Sequence, residues 1–210
     1  MIKVAILGHG TVGSGVYEVF EMNAEKIALA AGEPVEVKYV LDLRDFSHLP
    51  YGNKFVKDFS VIENDPEIPV VCEVMGGVRA AYDFTRRCLL AGKSVCTSNK
   101  ELVASKGEEL LKIAEEHNVN YLFEASVGGG IPIIRPMIQC LAANEFNQIC
   151  GILNGTTNYI LTQMIKNGVS FEDALRQAQV NGYAEADPTA DIEGHDACRK
   201  ICILSNLAFG

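Results

Sequence analysis

The sequence has no apolar run approaching the roughly 18 residues that a membrane-spanning helix needs. Its start, Met1-Ile2-Lys3-Val4-Ala5-Ile6-Leu7-Gly8, is too short and too soon broken by glycine to read as a secretory signal. The expectation is a cytoplasmic protein. No Cys-x-x-Cys pair is present, which removes the common zinc and dithiol motifs. The seven cysteines (Cys72, Cys88, Cys96, Cys140, Cys150, Cys198 and Cys202) are odd in number and scattered through apolar stretches. They read as buried reduced thiols. Basic residues are in deficit, 18 against 27 acidic, for a net charge of -9. Nucleic-acid binding needs a surplus of Lys and Arg to neutralise phosphates, and anionic membrane surfaces need the same, so both partners are disfavoured. A small phosphate ligand stays open, because backbone N–H groups can hold it. Internal repeats and low-complexity tracts are absent as well.

What is present is ordinary globular composition, 48% hydrophobic and 21% charged, over 210 residues. At about 150 residues per domain, that is more than one domain and less than two. Strand-like and helix-like segments alternate. Ile2 to Leu7, Val35 to Leu41, Pro69 to Val74, Ser94 to Thr97 and Val119 to Glu124 read as strands. Val12 to Ala31, Arg79 to Ala91 and Ser105 to Glu116 read as helices, the last opened by a Ser105–Glu108 capping box. Residues 43 to 60 read mostly as loop. This rhythm predicts an α/β fold with a parallel sheet covered by helices on both faces. From residue 125 the texture changes, and a boundary is expected near 130. Cys150 to Asn158 reads as a strand-like run leading to a turn. Helices are expected over Asn158 to Lys166, Ser170 to Val180 with a Ser170–Asp173 capping box, and Asp191 to Leu207.

The first chemical motif is Gly8-His9-Gly10-Thr11-Val12-Gly13. It fits G-x-G-x-x-G between a strand and a helix, the context that dinucleotide binding requires. Gly8 permits the tight turn, Gly10 admits a pyrophosphate, and Gly13 allows close helix–strand packing. Asp42, at the end of the second strand, suits a free ribose 2′-hydroxyl and so NAD. Arg44 suits a 2′-phosphate and so NADP. The two signals conflict, and each charge could equally be an ordinary solvated one.

Two further segments carry chemistry. Thr97-Ser98-Asn99-Lys100-Glu101-Leu102 follows a strand's carboxyl end, where open α/β sheets bind ligands. Lys100 there can meet a phosphate, a nicotinamide carboxamide or a substrate oxygen, or it can be merely solvated. The segment from Gly182 to Asp196 is rich in carboxylates. Asp196 and Lys200 are four apart and share a helix face, with Ile192 and Ile203 assigned to that face too. A surface pair of this kind contributes only about 0.3–0.5 kcal/mol. On a cleft, Lys200 would be a proton donor and Asp196 its anchor or the substrate's. His195 points elsewhere and reads as structural or exposed.

These motifs, together with Phe123-Glu124-Ala125-Ser126-Val127-Gly128-Gly129-Gly130-Ile131-Pro132, Gly151-Ile152-Leu153-Asn154-Gly155-Thr156-Thr157-Asn158 and Gly182-Tyr183-Ala184-Glu185-Ala186-Asp187-Pro188, resemble the homoserine dehydrogenases. The resemblance runs in order from residue 8 to residue 200. It implies an NAD- or NADP-dependent interconversion of L-homoserine and L-aspartate 4-semialdehyde in threonine and methionine biosynthesis. It also implies a Rossmann domain over 1–130 and the start of an α+β substrate and dimerisation domain over 131–210. Family members continue well past residue 210, so this second domain is expected to be incomplete. By the resemblance, Lys200, Lys100 and Asp196 are catalytic, and Glu185 and Asp196 bind substrate. Gly8, Gly10, Thr11, Val12, Gly13, Arg44, Lys100 and Gly182 hold the cofactor. Glu124, Val127, Gly129 and Ile131 hold a sodium or potassium ion, mainly through carbonyls. A homodimer or larger assembly is implied. The rival readings are another amino-acid dehydrogenase and a non-catalytic nucleotide-binding or redox-sensing module. The first should lack the two later motifs, and the second has no need of Lys100, Glu185, Asp196 and Lys200 together.

Overall fold

Four consecutive residues of the first strand, Val4 to Leu7, are buried. A strand apolar on both faces must lie inside a sheet covered on both sides. The computed structural model, which describes residues 1–210, places it there. The chain divides into two compact units, Met1–Gly129 and Gly130–Gly210.

The first unit is built on six parallel strands in the order β3-β2-β1-β4-β5-β6. They are β1 (Ile2–Leu7), β2 (Val35–Leu41), β3 (Phe55–Val56), β4 (Val70–Glu73), β5 (Ser94–Thr97) and β6 (Tyr121–Leu122). Helices α1 (Thr11–Met22), α2 (Ala24–Ala31), α3 (Ser60–Glu63), α4 (Arg79–Leu90), α5 (Lys100–Glu116) and α6 (Ala125–Gly128) complete it. Strand order reverses between β1 and β4, which opens a crevice at their carboxyl ends. One core cluster joins Val4 and Ile6 of β1 to Val37 and Val40 of β2, Cys72 of β4 and Tyr17 of α1. Each such fully buried aliphatic side chain contributes about 1.5–3 kcal/mol. Helix α4 buries Ala81, Thr85, Cys88 and Leu89, a stripe at helical spacing that faces the sheet.

Several elements differ from expectation. The long first helix breaks at Asn23, whose φ of -116° and ψ of 22° are not helical, giving α1 and α2. Asparagine competes for backbone bonds and tolerates the break. Residues 43 to 60 contain β3 and the start of α3, both too short for any periodicity to register. The capping box at Ser105 does not form. Helix α5 starts five residues earlier, where the Asn99 side chain accepts the Leu102 N–H. Ser105 sits inside the helix and donates to the Glu101 carbonyl. The strand expected to reach Glu124 is cut to Tyr121 and Leu122, which pair with Val95 and Cys96 of β5. Beyond them the chain turns into α6, with Glu124 as its first flanking residue.

The second unit contains a π-helical turn at Pro136–Cys140, then α7 (Gly155–Asn167), α8 (Phe171–Val180), α9 (Thr189–Ile192) and α10 (His195–Phe209). Helices α7 and α8 pack around Ile160, Ala174 and Ala178. The Ser170 hydroxyl accepts the Asp173 N–H as expected. The run Cys150 to Leu153 forms no strand, because nothing in the chain pairs with it, and Ile152 is 78% exposed. Helix α7 starts at Gly155 rather than Asn158, since Asn154 caps it. A left-handed Gly194 separates α9 from α10, so the helix expected from Asp191 is two helices, and Ile192 lies in the shorter one. All seven cysteines are free thiols. Cys72 and Cys88 are buried as expected and Cys96 is half-buried, but Cys140, Cys150, Cys198 and Cys202 are exposed. These four lie in the second unit, on segments that no further layer of this chain covers. No helix is long and apolar enough to cross a membrane.

Candidate active site

In the first unit, the glycine motif forms the turn from β1 into α1. Gly8 adopts φ +97°, a left-handed conformation that favours glycine. Gly13 packs so closely that an added Cβ would lie 2.0 Å from the Gly8 carbonyl oxygen. Beside Gly10 the space is open, and an added Cβ would meet nothing within 4 Å. That is the room a pyrophosphate needs. The N–H groups of Thr11, Val12 and Gly13 precede the first intrahelical bond, from Ser14 N–H to the Gly10 carbonyl, and no side chain caps them. A helix start of this kind offers donors and partial positive charge to an anion.

This turn lines a cavity of about 410 Å³ with Asp42, Arg44 and Lys57. The Asp42 carboxylate accepts four bonds: from Arg44 N–H and Nε (both 3.0 Å), Arg44 Nη2 (2.8 Å) and His9 N–H (2.9 Å). The Arg44 side chain holds its pKa far below the usual carboxylate range. Four bonds saturate a carboxylate, so in this arrangement Asp42 has no acceptor left for a ribose hydroxyl. Arg44 is itself fixed, since Nη2 also donates to the His9 carbonyl at 2.9 Å, while its Nη1 takes no part in these bonds. Lys57 was not singled out from sequence. It follows β3, and had that two-residue strand been visible, the carboxyl-end rule would have marked it.

His9 is enclosed by rings. Phe46 and Phe55 meet it edge-on at 4.6 and 4.9 Å, and Nε2 lies 3.1 Å from the Tyr51 hydroxyl. Its Nδ1 is buried without a partner. Burial holds its pKa below 6.5, with Asp42 opposing and Arg44 reinforcing that shift. The unfolded chain therefore takes up this proton more readily than the folded one. Stability is lost as pH falls below about 6.5, until the lower folded value is passed. Urea midpoints at pH 7.5 and 5.5 will fall further for the wild type than for His9→Phe. Equal falls would contradict this account of His9.

Lys100 is the first residue of α5, half-buried, just past the carboxyl end of β5. Its loop is anchored by a group the sequence reading missed. Glu73 is fully buried and accepts from the Met75 N–H (2.7 Å) and the Thr97 hydroxyl (2.5 Å). The same Thr97 oxygen accepts the Asn99 N–H at 2.9 Å. Burial raises the Glu73 pKa. An acidic residue ending an apolar strand was the available signal.

In the second unit, Asp196 and Lys200 meet on α10. Lys200 Nζ lies 2.8 Å from Asp196 Oδ2 and donates to the Leu153 carbonyl, also at 2.8 Å. The Asp196 side chain is 3% exposed and that of Lys200 16%, so this is no surface pair. Ile203 is buried on the same helix, whereas Ile192 is 38% exposed. Asn154 Nδ2 donates to Asp196 Oδ2 (3.0 Å) and to Asp191 Oδ1 (2.7 Å). Thr156 donates to Asp191 Oδ2 at 2.8 Å. Asp191 had stood only as one carboxylate among many, and spacing gave no means to prefer it. Glu185 lies in an irregular segment with its side chain exposed and its carbonyl 3.2 Å from Gln179 Nε2. Gly182, at φ +75°, ends the turn after α8. His195 is exposed and touches Glu193, as expected. Glu124, Val127 and Gly129 fall on α6 and its flanks, and Ile131 is 74% exposed.

Known proteins match both units. A family model described as the NAD-binding domain of homoserine dehydrogenase matches residues 8–124, and one described as homoserine dehydrogenase matches residues 132–210. The chain is 44% identical over 210 residues to a homoserine dehydrogenase of Pseudomonas aeruginosa, covering all of this chain and 48% of that one. The crystal structure of a homoserine dehydrogenase from Thiobacillus denitrificans superposes with a TM-score of 0.93 at 43% identity, again over 100% of this chain and 49% of the other. A hyperthermophilic archaeal homoserine dehydrogenase in complex with NADPH matches with a TM-score of 0.86 at 26% identity, over 100% of this chain and 70% of that one. The chain thus spans about half the length of the curated relatives it matches. By the family models that cover both of its units, the chain belongs to the homoserine dehydrogenase family.

Proposed function

We propose that the protein interconverts L-homoserine and L-aspartate 4-semialdehyde with a nicotinamide cofactor, as its relatives' names imply, and that it serves threonine and methionine biosynthesis. One observation carries the reading: a largely buried Lys200 ammonium held between Asp196 and the Leu153 carbonyl. The bound cofactor supplies or accepts a hydride. This chain's residues handle the proton and the orientation. In the reducing direction, Lys200 Nζ gives a proton to the aldehyde oxygen as negative charge develops there. Asp196 keeps the ammonium aimed through its 2.8 Å contact. Glu185 takes the substrate's amino group, and Lys100 attends the nicotinamide and the reacting oxygen.

Gly8, Gly10, Thr11, Val12 and Gly13 cradle the pyrophosphate, with Gly182 as a further contact. For the adenosine end the chemistry favours NADP. Asp42 is spent on Arg44 and His9, while Arg44 and Lys57 bring two positive charges to the same cavity. To Glu124, Val127, Gly129 and Ile131 we assign a sodium or potassium ion, on the family resemblance of that segment. The last carbonyls of α6 have no helical partner, and carbonyl oxygens suit a hard cation. No group of three or more His, Cys, Asp or Glu side chains competes as a metal site. The exposed apolar side chains Ile131, Ile152 and Ile165 support a homodimer or larger assembly. Seven free thiols fit the reducing cytoplasm.

The test is consumption of NADPH or NADH with L-aspartate 4-semialdehyde. The protein should show a lower KM for NADPH, and Arg44→Ser should raise that KM about tenfold, the loss of one charge-assisted bond, with the NADH value nearly unchanged. Equal effects on both cofactors would defeat the NADP assignment.

A further inference from the structure

Asn154 lies at the centre of the second unit's polar cluster, and every hydrogen-bonding position of its side chain is used. Oδ1 accepts from the Thr157 N–H (2.8 Å) and the Thr157 hydroxyl (2.9 Å). The main-chain donor fixes which end of the amide is oxygen, so Nδ2 must face the other way. There it gives one proton to Asp191 Oδ1 and one to Asp196 Oδ2. The residue is 8% exposed. Capping alone does not call for asparagine, since Asp, Ser or Thr cap as well. Only asparagine combines the cap acceptor with two donors on the opposite side.

Two carboxylates sharing one amide nitrogen are like charges at close range. Their repulsion is offset by the two amide protons donated between them. The charged groups hydrogen-bonded to the amide are Asp191 from α9 and Asp196 from α10, and Lys200 of α10 pairs with Asp196. Thr156 and Thr157 of α7 are neutral. Asn154 reaches Lys200 by two routes. One runs through Asp196, and the other is the peptide bond to Leu153, whose carbonyl accepts from Lys200 Nζ.

We propose that Asn154 is a positioning residue that, by donating one amide proton to each of Asp191 and Asp196, holds both carboxylates side by side and so fixes the Lys200 ammonium. This rests on the dehydrogenase reading for its effect on turnover, but not for its effect on the carboxylates. Asn154→Ser keeps a cap and removes both donors without adding charge. Asn154→Asp keeps the cap acceptor and adds a third carboxylate. The first should lower kcat with homoserine at least tenfold, shift the kcat–pH profile, and leave NADPH affinity within twofold. Carboxyl NMR titration should show the Asp191–Asp196 pair titrating about one pH unit higher in Asn154→Ser, the scale of a lost hydrogen bond to a charged group. A still larger rise is expected in Asn154→Asp, which also serves should the serine variant fail to fold. Unchanged carboxyl titration in whichever variant folds overturns the proposal. Unchanged kcat and pH profile, in an active wild type, overturn it too. If the wild type does not oxidise homoserine, the dehydrogenase reading fails, and the carboxyl titration alone decides this one.

Discussion

Lys200→Arg should lower turnover with homoserine by about 10²–10⁴-fold, the span typical of a lost general acid–base group, while leaving NADPH affinity within about twofold. An arginine keeps the positive charge beside Asp196, but its pKa above about 12 prevents it from giving up a proton. Lys200→Ala should lose as much activity and also stability. It takes a 2.8 Å ion-pair partner from an Asp196 side chain that is only 3% exposed. Removing one member of a buried pair costs about 3–5 kcal/mol, although the two Asn154 bonds to this cluster will soften the loss. Steady-state kinetics with a thermal melt separates the two variants. Near-normal turnover in Lys200→Arg would remove the lysine from the proton-transfer step.

Gly13→Ala should unfold the first unit or abolish cofactor binding outright. The new methyl would sit 2.0 Å from the Gly8 oxygen and 2.8 Å from its carbonyl carbon. Both are backbone atoms of the turn itself, so no flexible side chain can yield. Overpacking usually costs about 1–3 kcal/mol, and a clash with backbone exceeds that range. Gly10→Ala is the contrast. At φ -82° alanine is unstrained, and the added Cβ meets no atom. Stability should stay within about 0.5 kcal/mol of wild type, while NADPH binding, followed by fluorescence, should weaken at least tenfold. Two methyl groups three residues apart would then separate a packing role from a ligand-facing one. Tight NADPH binding by Gly10→Ala would place the pyrophosphate elsewhere.

The longer strands of the first unit and the glycine turn were legible because their signals are local. The run Ile2 to Leu7 followed by Gly8-His9-Gly10 states both the strand and its turn within a few residues. Asp196 and Lys200 were legible because a helix converts a spacing of four into a contact. The state of Asp42 was not legible. Its conflict with Arg44 turns into a salt bridge only once the chain folds both onto the His9 backbone. Lys57 was hidden behind a two-residue strand, and Glu73, on a strand that was read, gained its anchoring role only from Thr97, 24 residues on. Asp191 and Asn154 are 37 residues apart, and only the packing of α9 against α7 brings them to 2.7 Å. The α5 start was misplaced by a plausible Ser105–Glu108 pair, because a cap at Asn99 needs no second residue to announce it. Four cysteines were expected to be buried from their apolar neighbours, but a neighbour in sequence covers nothing unless another element packs over it.

The most direct test mixes the protein with L-homoserine and either NADP or NAD and follows absorbance at 340 nm. The account predicts a homoserine-dependent, saturable rise that is faster at low cofactor concentration with NADP. No homoserine-dependent rise with either cofactor would contradict it.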